Sequence, residues 1–131
     1  MKNRKGFTVV EFLIVICIMA VLAVIAAPIY RTYARKAMSS EGRALLSSIQ
    51  TAENVYFKEF GSFYVFVGTQ TFDNVLDVDA SGNKYFKDYS IVSQDVMSGY
   101  TAQTTGSGAA KGIVLTVMVS THGQVSRTEK Y

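Results

Sequence analysis

A single cysteine and a single histidine in 131 residues exclude much chemistry at once. Cys17 cannot close an intrachain disulfide, and neither a multi-cysteine zinc site nor a cluster of histidine ligands can be assembled. Charge is sparse too, at 18% Asp, Glu, Lys and Arg, and it is unevenly placed. The net +3 comes from 13 bases against 10 acids, and three of the bases, Lys2, Arg4 and Lys5, fall within the first six positions. Past residue 6 the balance is ten against ten. The pI near 9.0 therefore describes the extreme N-terminus, not a basic folded face of the kind nucleic acids need. Apolar residues reach 49%, which excludes a disordered chain, and the length suits one domain of ordinary size.

Most of the apolar excess lies in one place. Residues 12–27 form an uninterrupted apolar run, and residues 7–29 contain only Thr8 and Glu11 as polar positions. As a helix, that longer segment measures roughly 35 Å, against a bilayer core about 30 Å thick that needs about 20 residues to cross. A secretory signal peptide cut near Ala26 and Ala27 is one interpretation, and a retained membrane helix is the other. Glu11 favours retention. A carboxylate within a membrane segment costs about 2.5–3.5 kcal/mol, which a disposable signal has no reason to bear. A retained helix can offset it if a cation arrives. Cleavage after Gly6 would create one: Phe7 would carry a free amine, with Glu11 as the fifth residue. In one helix that amine lies a turn away. Between staggered helices, Glu11 of one copy meets the amine of another in a charge-assisted bond.

The run Lys5-Gly6-Phe7-Thr8-Val9-Val10-Glu11, with its apolar continuation, resembles the class III signal of type IV pilins and pseudopilins. The likeness covers roughly residues 1–55: a short basic leader, Gly before the scissile bond, Phe after it, Glu five residues in, and then about twenty apolar residues. Pro28 falls where the family's helix bends, and Tyr30 and Tyr33 resemble the aromatics that follow. Val9-Val10 replaces a more usual Leu-Ile pair, Cys17 sits in the apolar run as an expected buried free thiol and not a redox site, and the C-terminal half lacks the Cys pair of many Gram-negative pilins. The resemblance implies cleavage between Gly6 and Phe7 by a prepilin peptidase, and N-methylation of Phe7. It also implies storage in the bacterial inner membrane, then assembly by a platform protein and a cytoplasmic ATPase into a helical homopolymer. The assembled form would be an extracellular filament or a periplasm-spanning pseudopilus.

After Pro28 the pattern becomes amphipathic. Met38, Leu45, Ile49, Ala52, Tyr56 and Phe60 share one helical face, and Glu41, Arg43, Ser47, Gln50, Asn54 and Lys58 fill the other. A helix from residue 7 to about 58 would run roughly 78 Å, with Pro28 as a kink and Gly42 as a second weak point. Gly61 is the expected stop, and residues 62–83 read as loop. Strands are expected at 85–93, 100–104 and 113–119, the last paired with 124–128 across Thr121-His122-Gly123. The expected fold is α+β: a long kinked helix on a small antiparallel head, divided as leader 1–6, membrane or filament-core helix 7–30, and amphipathic helix with globular head 31–131.

Asp77, Asp79, Ser81, Gly82 and Asp88 occupy positions 1, 3, 5, 6 and 12 of an EF-hand-like loop, a calcium candidate. Lys84 stands where an apolar residue belongs, and the competing interpretation is an acidic turn. Six aromatics in residues 56–66 suggest either a stacked or adhesive surface or plain core packing. His122 has no triad partners, and Lys84 and Lys87 among Tyr85, Phe86 and Tyr89 suit a solvated strand better than a nucleic-acid surface. The expectation is a filament subunit without enzymatic activity, committed cofactor or nucleic-acid partner. A type II secretion pseudopilin is the near alternative, and a secreted or anchored binding domain the distant one.

Overall fold

A computed structural model of the protein describes residues 6–131, so the leader bases Lys2, Arg4 and Lys5 lie outside the described residues. Among the described residues the order of elements is one helix, α1 (Val9–Phe60), and then six strands: β1 (Phe72–Asp73), β2 (Val78–Asp79), β3 (Tyr89–Val92), β4 (Gly99–Thr105), β5 (Val114–Ser120) and β6 (Val125–Lys130). A single 3-10 turn (Gly108–Ala110) precedes β5. The architecture is α+β, as expected. The chain divides into two compact units, Met1–Ala34 and Arg35–Tyr131.

The first unit is the apolar part of α1. The helix assignment is unbroken at Pro28, although proline offers no amide to the preceding turn. The hydroxyl of Thr32 donates to the Pro28 carbonyl at 3.1 Å.

The second unit packs the amphipathic end of α1 on a four-stranded antiparallel sheet of order β3-β4-β5-β6. Leu45, Leu46 and Ile49 from the helix meet Tyr89, Ile91, Tyr100, Ala102, Leu115 and Val117 from the sheet in one buried cluster. Alternation sets the register. Inward Ala102 pairs with inward Ile91 on one side and Val117 on the other, and Tyr100 pairs with Val119. A one-residue slip would turn this set outward. The helix lies close to the sheet because Gly42 has no side chain. A Cβ there would stand 2.6 Å from Leu115 Cδ1 and 2.8 Å from Phe86 Cδ1. The packing role of Gly42 was not foreseen, and it gives this glycine a use beyond weakening the helix.

Gly61, at φ +74, ends α1 in the left-handed region, and its amide donates to the Phe57 carbonyl at 2.8 Å. The segment expected to be loop contains the two-residue ladder β1–β2, with Phe72 opposite Asp79. The expected strand at 85–93 is shorter, beginning at Tyr89, because the amides of residues 84–86 are taken by a helix carboxylate. The β5–β6 hairpin forms at the expected turn, with the Gly123 amide donating to Ser120 and the Ser120 amide to Gln124, both at 3.0 Å.

Candidate functional site

At its N-terminus α1 is closed by a reciprocal cap. Thr8 is the residue before the first helical position. Its backbone amide and its hydroxyl both donate to Glu11 Oε2 at 2.8 Å, and the Glu11 amide donates back to the Thr8 hydroxyl at 3.2 Å. This is a capping box, and the spacing Thr8-x-x-Glu11 is its sequence signature. The expectation for Glu11 rested on the Phe7 amine and overlooked Thr8. Among the described residues, Glu11 Oε1 takes no bond. Gly6 and Phe7 are exposed just ahead of the cap, Phe7 at 69%.

From Phe7 to Tyr33 every residue is exposed. The side chains of Phe12, Leu13, Ile18, Leu22 and Ile25 keep half or more of their surface. Cys17 is exposed as well, so its expected burial is not met within one chain. The helix is long and apolar enough to cross a membrane, and none of its most apolar stretch is buried. Transfer of such surface from water is favourable by about 25 cal/mol per Å², so it requires cover from lipid or from like helices.

In the second unit the helix uses two acids to hold the chain that follows it. Glu41 accepts the amides of Lys84 at 3.0 Å, Tyr85 at 2.7 Å and Phe86 at 2.8 Å. Partial burial pushes its carboxyl up, but the three amides, with the Lys84 charge, outweigh this and hold it below the usual carboxylate range. Glu41 was expected on the solvated face; it faces the head instead. Glu53 accepts the amide of Tyr64 at 3.0 Å. A third contact closes the other edge. Arg43 grips Glu129 with Nε at 2.6 Å and Nη2 at 2.7 Å, and Nη2 also donates to the Tyr131 hydroxyl at 2.9 Å, which itself bonds to Glu129.

The aromatics divide between the two alternatives. Phe63 is buried, stacks on Phe57 at 4.5 Å and meets Tyr100 at a tilt at 5.0 Å, which is core packing. Phe60, expected on the buried face, is the last residue of α1, is 61% exposed and rests on Tyr56 at 4.5 Å. The calcium candidates do not converge. Asp77 sits at φ +52 in a turn, Asp79 accepts the Ser81 amide at 2.7 Å, and Asp88 accepts the Thr71 hydroxyl at 2.7 Å. Among the described residues no three acidic, histidine or cysteine side chains gather as a metal site. His122 lies exposed in the β5–β6 turn.

Residues 1–27 match the family model for the prokaryotic N-terminal methylation motif. The chain is 31% identical over 112 residues to the fimbrial protein EcpC of Eikenella corrodens, an alignment that covers 84% of this chain and 69% of that one. It is 30% identical over 109 residues to a fimbrial protein of Neisseria meningitidis serogroup B, covering 83% of this chain but only 62% of the relative. A type IV major pilin, PilE1 of Neisseria gonorrhoeae, is 37% identical over 60 residues, 36% of its own length. No solved structure matches the chain. With a methylation motif leading into a capped apolar helix, an antiparallel head behind it, and likeness to fimbrial proteins along most of its length, the chain belongs to the type IV pilin superfamily.

Proposed function

We propose that this chain is the structural subunit of a type IV pilus-like filament. A prepilin peptidase cuts between Gly6 and Phe7 and methylates the new amine. The helix of residues 7–30 anchors the product in the inner membrane. A platform protein and its ATPase then move it into a helical polymer of like subunits. The observation that carries this reading is the wholly exposed apolar helix of the first unit, whose single acid, Glu11, stands at the N-terminal turn. Lipid covers that surface before assembly, and neighbouring copies cover it afterwards. Helix packing supplies most of the polymer's stability. Glu11 sets the stagger: Oε2 caps its own helix through Thr8, and Oε1 receives the Phe7 amine of a neighbour.

The mature N-terminus, read by mass and sequencing in membrane and sheared-surface fractions, is expected at methylated Phe7. A start near Ala27 in both fractions would instead make the protein a secreted domain. Glu11→Ala is expected to leave cleavage and membrane insertion intact and to deplete filaments at least tenfold in the sheared fraction. Normal filament yield from that variant would remove the pairing from the mechanism. Long surface filaments in electron micrographs support the pilus reading; a polymer confined to the periplasm would move the chain to the secretion pseudopilins.

A further inference from the structure

Glu53 is completely buried on α1, beneath the segment that leaves the helix. One carboxyl oxygen, Oε2, accepts the Tyr64 amide at 3.0 Å. The other, Oε1, is buried with no partner among the described residues, and so is the hydroxyl of Tyr100 on β4. The two groups are near enough for the Glu53 charge to act on Tyr100. Around Glu53 stand Tyr64 from the loop, Tyr100 from β4 and Asp73 from β1, with Tyr56 on its own helix acting on Tyr64. The charged group that acts on Glu53 is therefore another acid, and among the described residues no cation offsets it. A buried anion with one oxygen unpaired and a like charge nearby is costly unless it takes up a proton.

We propose that Glu53 is a proton-operated latch: protonated, it holds the segment 61–66 closed on α1, and ionised, it favours release of Tyr64 and loosening of the aromatic layer of Phe57, Phe63 and Tyr100. The latch is a property of the head and does not depend on filament formation. The closed state carries the geometry just given. In the open state the carboxylate reaches water, and the ring contacts of Phe63 with Phe57 and Tyr100 lose their alignment. Burial, with the Asp73 charge as a smaller contribution, pushes the Glu53 carboxyl up to about 7 despite the Tyr64 amide. Folded, Glu53 thus holds its proton more tightly than an unfolded glutamate does. The head is most stable below the ordinary glutamate range, loses stability as pH climbs from there to about 7, and levels off above.

The test uses the full chain in neutral detergent micelles. The Glu53 carboxyl, followed by carbon NMR against the Glu53→Gln variant, is expected to titrate near neutrality; titration in the ordinary glutamate range overturns the proposal. Between pH 5 and 8 the unfolding constant of the native protein is expected to rise about a hundredfold, while that of Glu53→Gln stays nearly flat. Parallel slopes for the two proteins overturn the latch. Exchange of the Tyr64 amide, corrected for intrinsic rate, should accelerate with pH in the native protein only; equal acceleration in both counts against it. If Glu53→Gln does not fold, the Tyr64 exchange in the native protein decides: acceleration that follows its carboxyl titration supports the proposal, and exchange indifferent to pH defeats it.

Discussion

Glu41 shows how much one side chain can organise. Its carboxylate meets three consecutive amides, those of residues 84–86, and so ends one stretch of chain and aims the next into β3. Charge-assisted bonds of this kind are worth more than neutral ones. Glu41→Gln keeps the shape but loses the charge and presents one carbonyl oxygen to three donors. We expect it to lower stability at neutral pH by about 1–3 kcal/mol, read by chemical denaturation. The pH dependence has a definite sign. The folded carboxyl lies below the usual range, so its contribution is present above the unfolded glutamate range and is lost as pH falls through the folded value. The native protein and the variant should therefore converge in acid. Curves that stay parallel down to pH 2 would mean that the charge on Glu41 does not matter.

Within the four-stranded sheet, β6 is the edge strand that buries none of its residues. It has one strand partner, β5, and all six of its residues are exposed. Its remaining ties run to α1: Arg43 to Glu129 and Tyr131, and Arg127 to Gln50 at 3.2 Å. The Arg43–Glu129 bond is bidentate but largely at the surface, so we expect a double-mutant cycle with Arg43→Ala and Glu129→Ala to give a coupling of about 0.5–1 kcal/mol, smaller at high salt. A coupling of zero at low salt would leave β6 attached by its ladder alone. Elements like these were partly legible in the sequence. The helix stop at Gly61 and the β5–β6 hairpin were found because turn chemistry is local. The β1–β2 ladder was missed because two residues carry no periodicity. Glu41 and Glu53 escaped because an acid on an amphipathic helix looks like any solvated acid, and only the chain packed above it shows otherwise. Thr8 could have been found, since its capping spacing to Glu11 is written in the sequence.

At the scale of the whole molecule, none of the described residues of the first unit is buried, while the second has a core of its own. Under the proposed function, membrane residence depends on the apolar helix. Val21, 61% exposed in mid-segment, is a direct probe. Val21→Lys places a charge at the bilayer centre at a cost of about 2.5–3.5 kcal/mol. We expect it to shift the chain out of the membrane fraction while the circular-dichroism signature of the sheet persists in detergent. An unchanged membrane fraction would show that other forces retain the protein.

Glu41 and Glu53 of α1 also act together on the chain between the segments they hold. Glu53 fastens it at Tyr64 and Glu41 fastens it at residues 84–86, and both anchors belong to one rigid rod. Between these moorings, the stretch at Val67, Gly68 and Thr69 faces outward and touches none of the buried cluster. A foreign peptide spliced there would be displayed on the outside of the head, with the scaffold beneath it undisturbed.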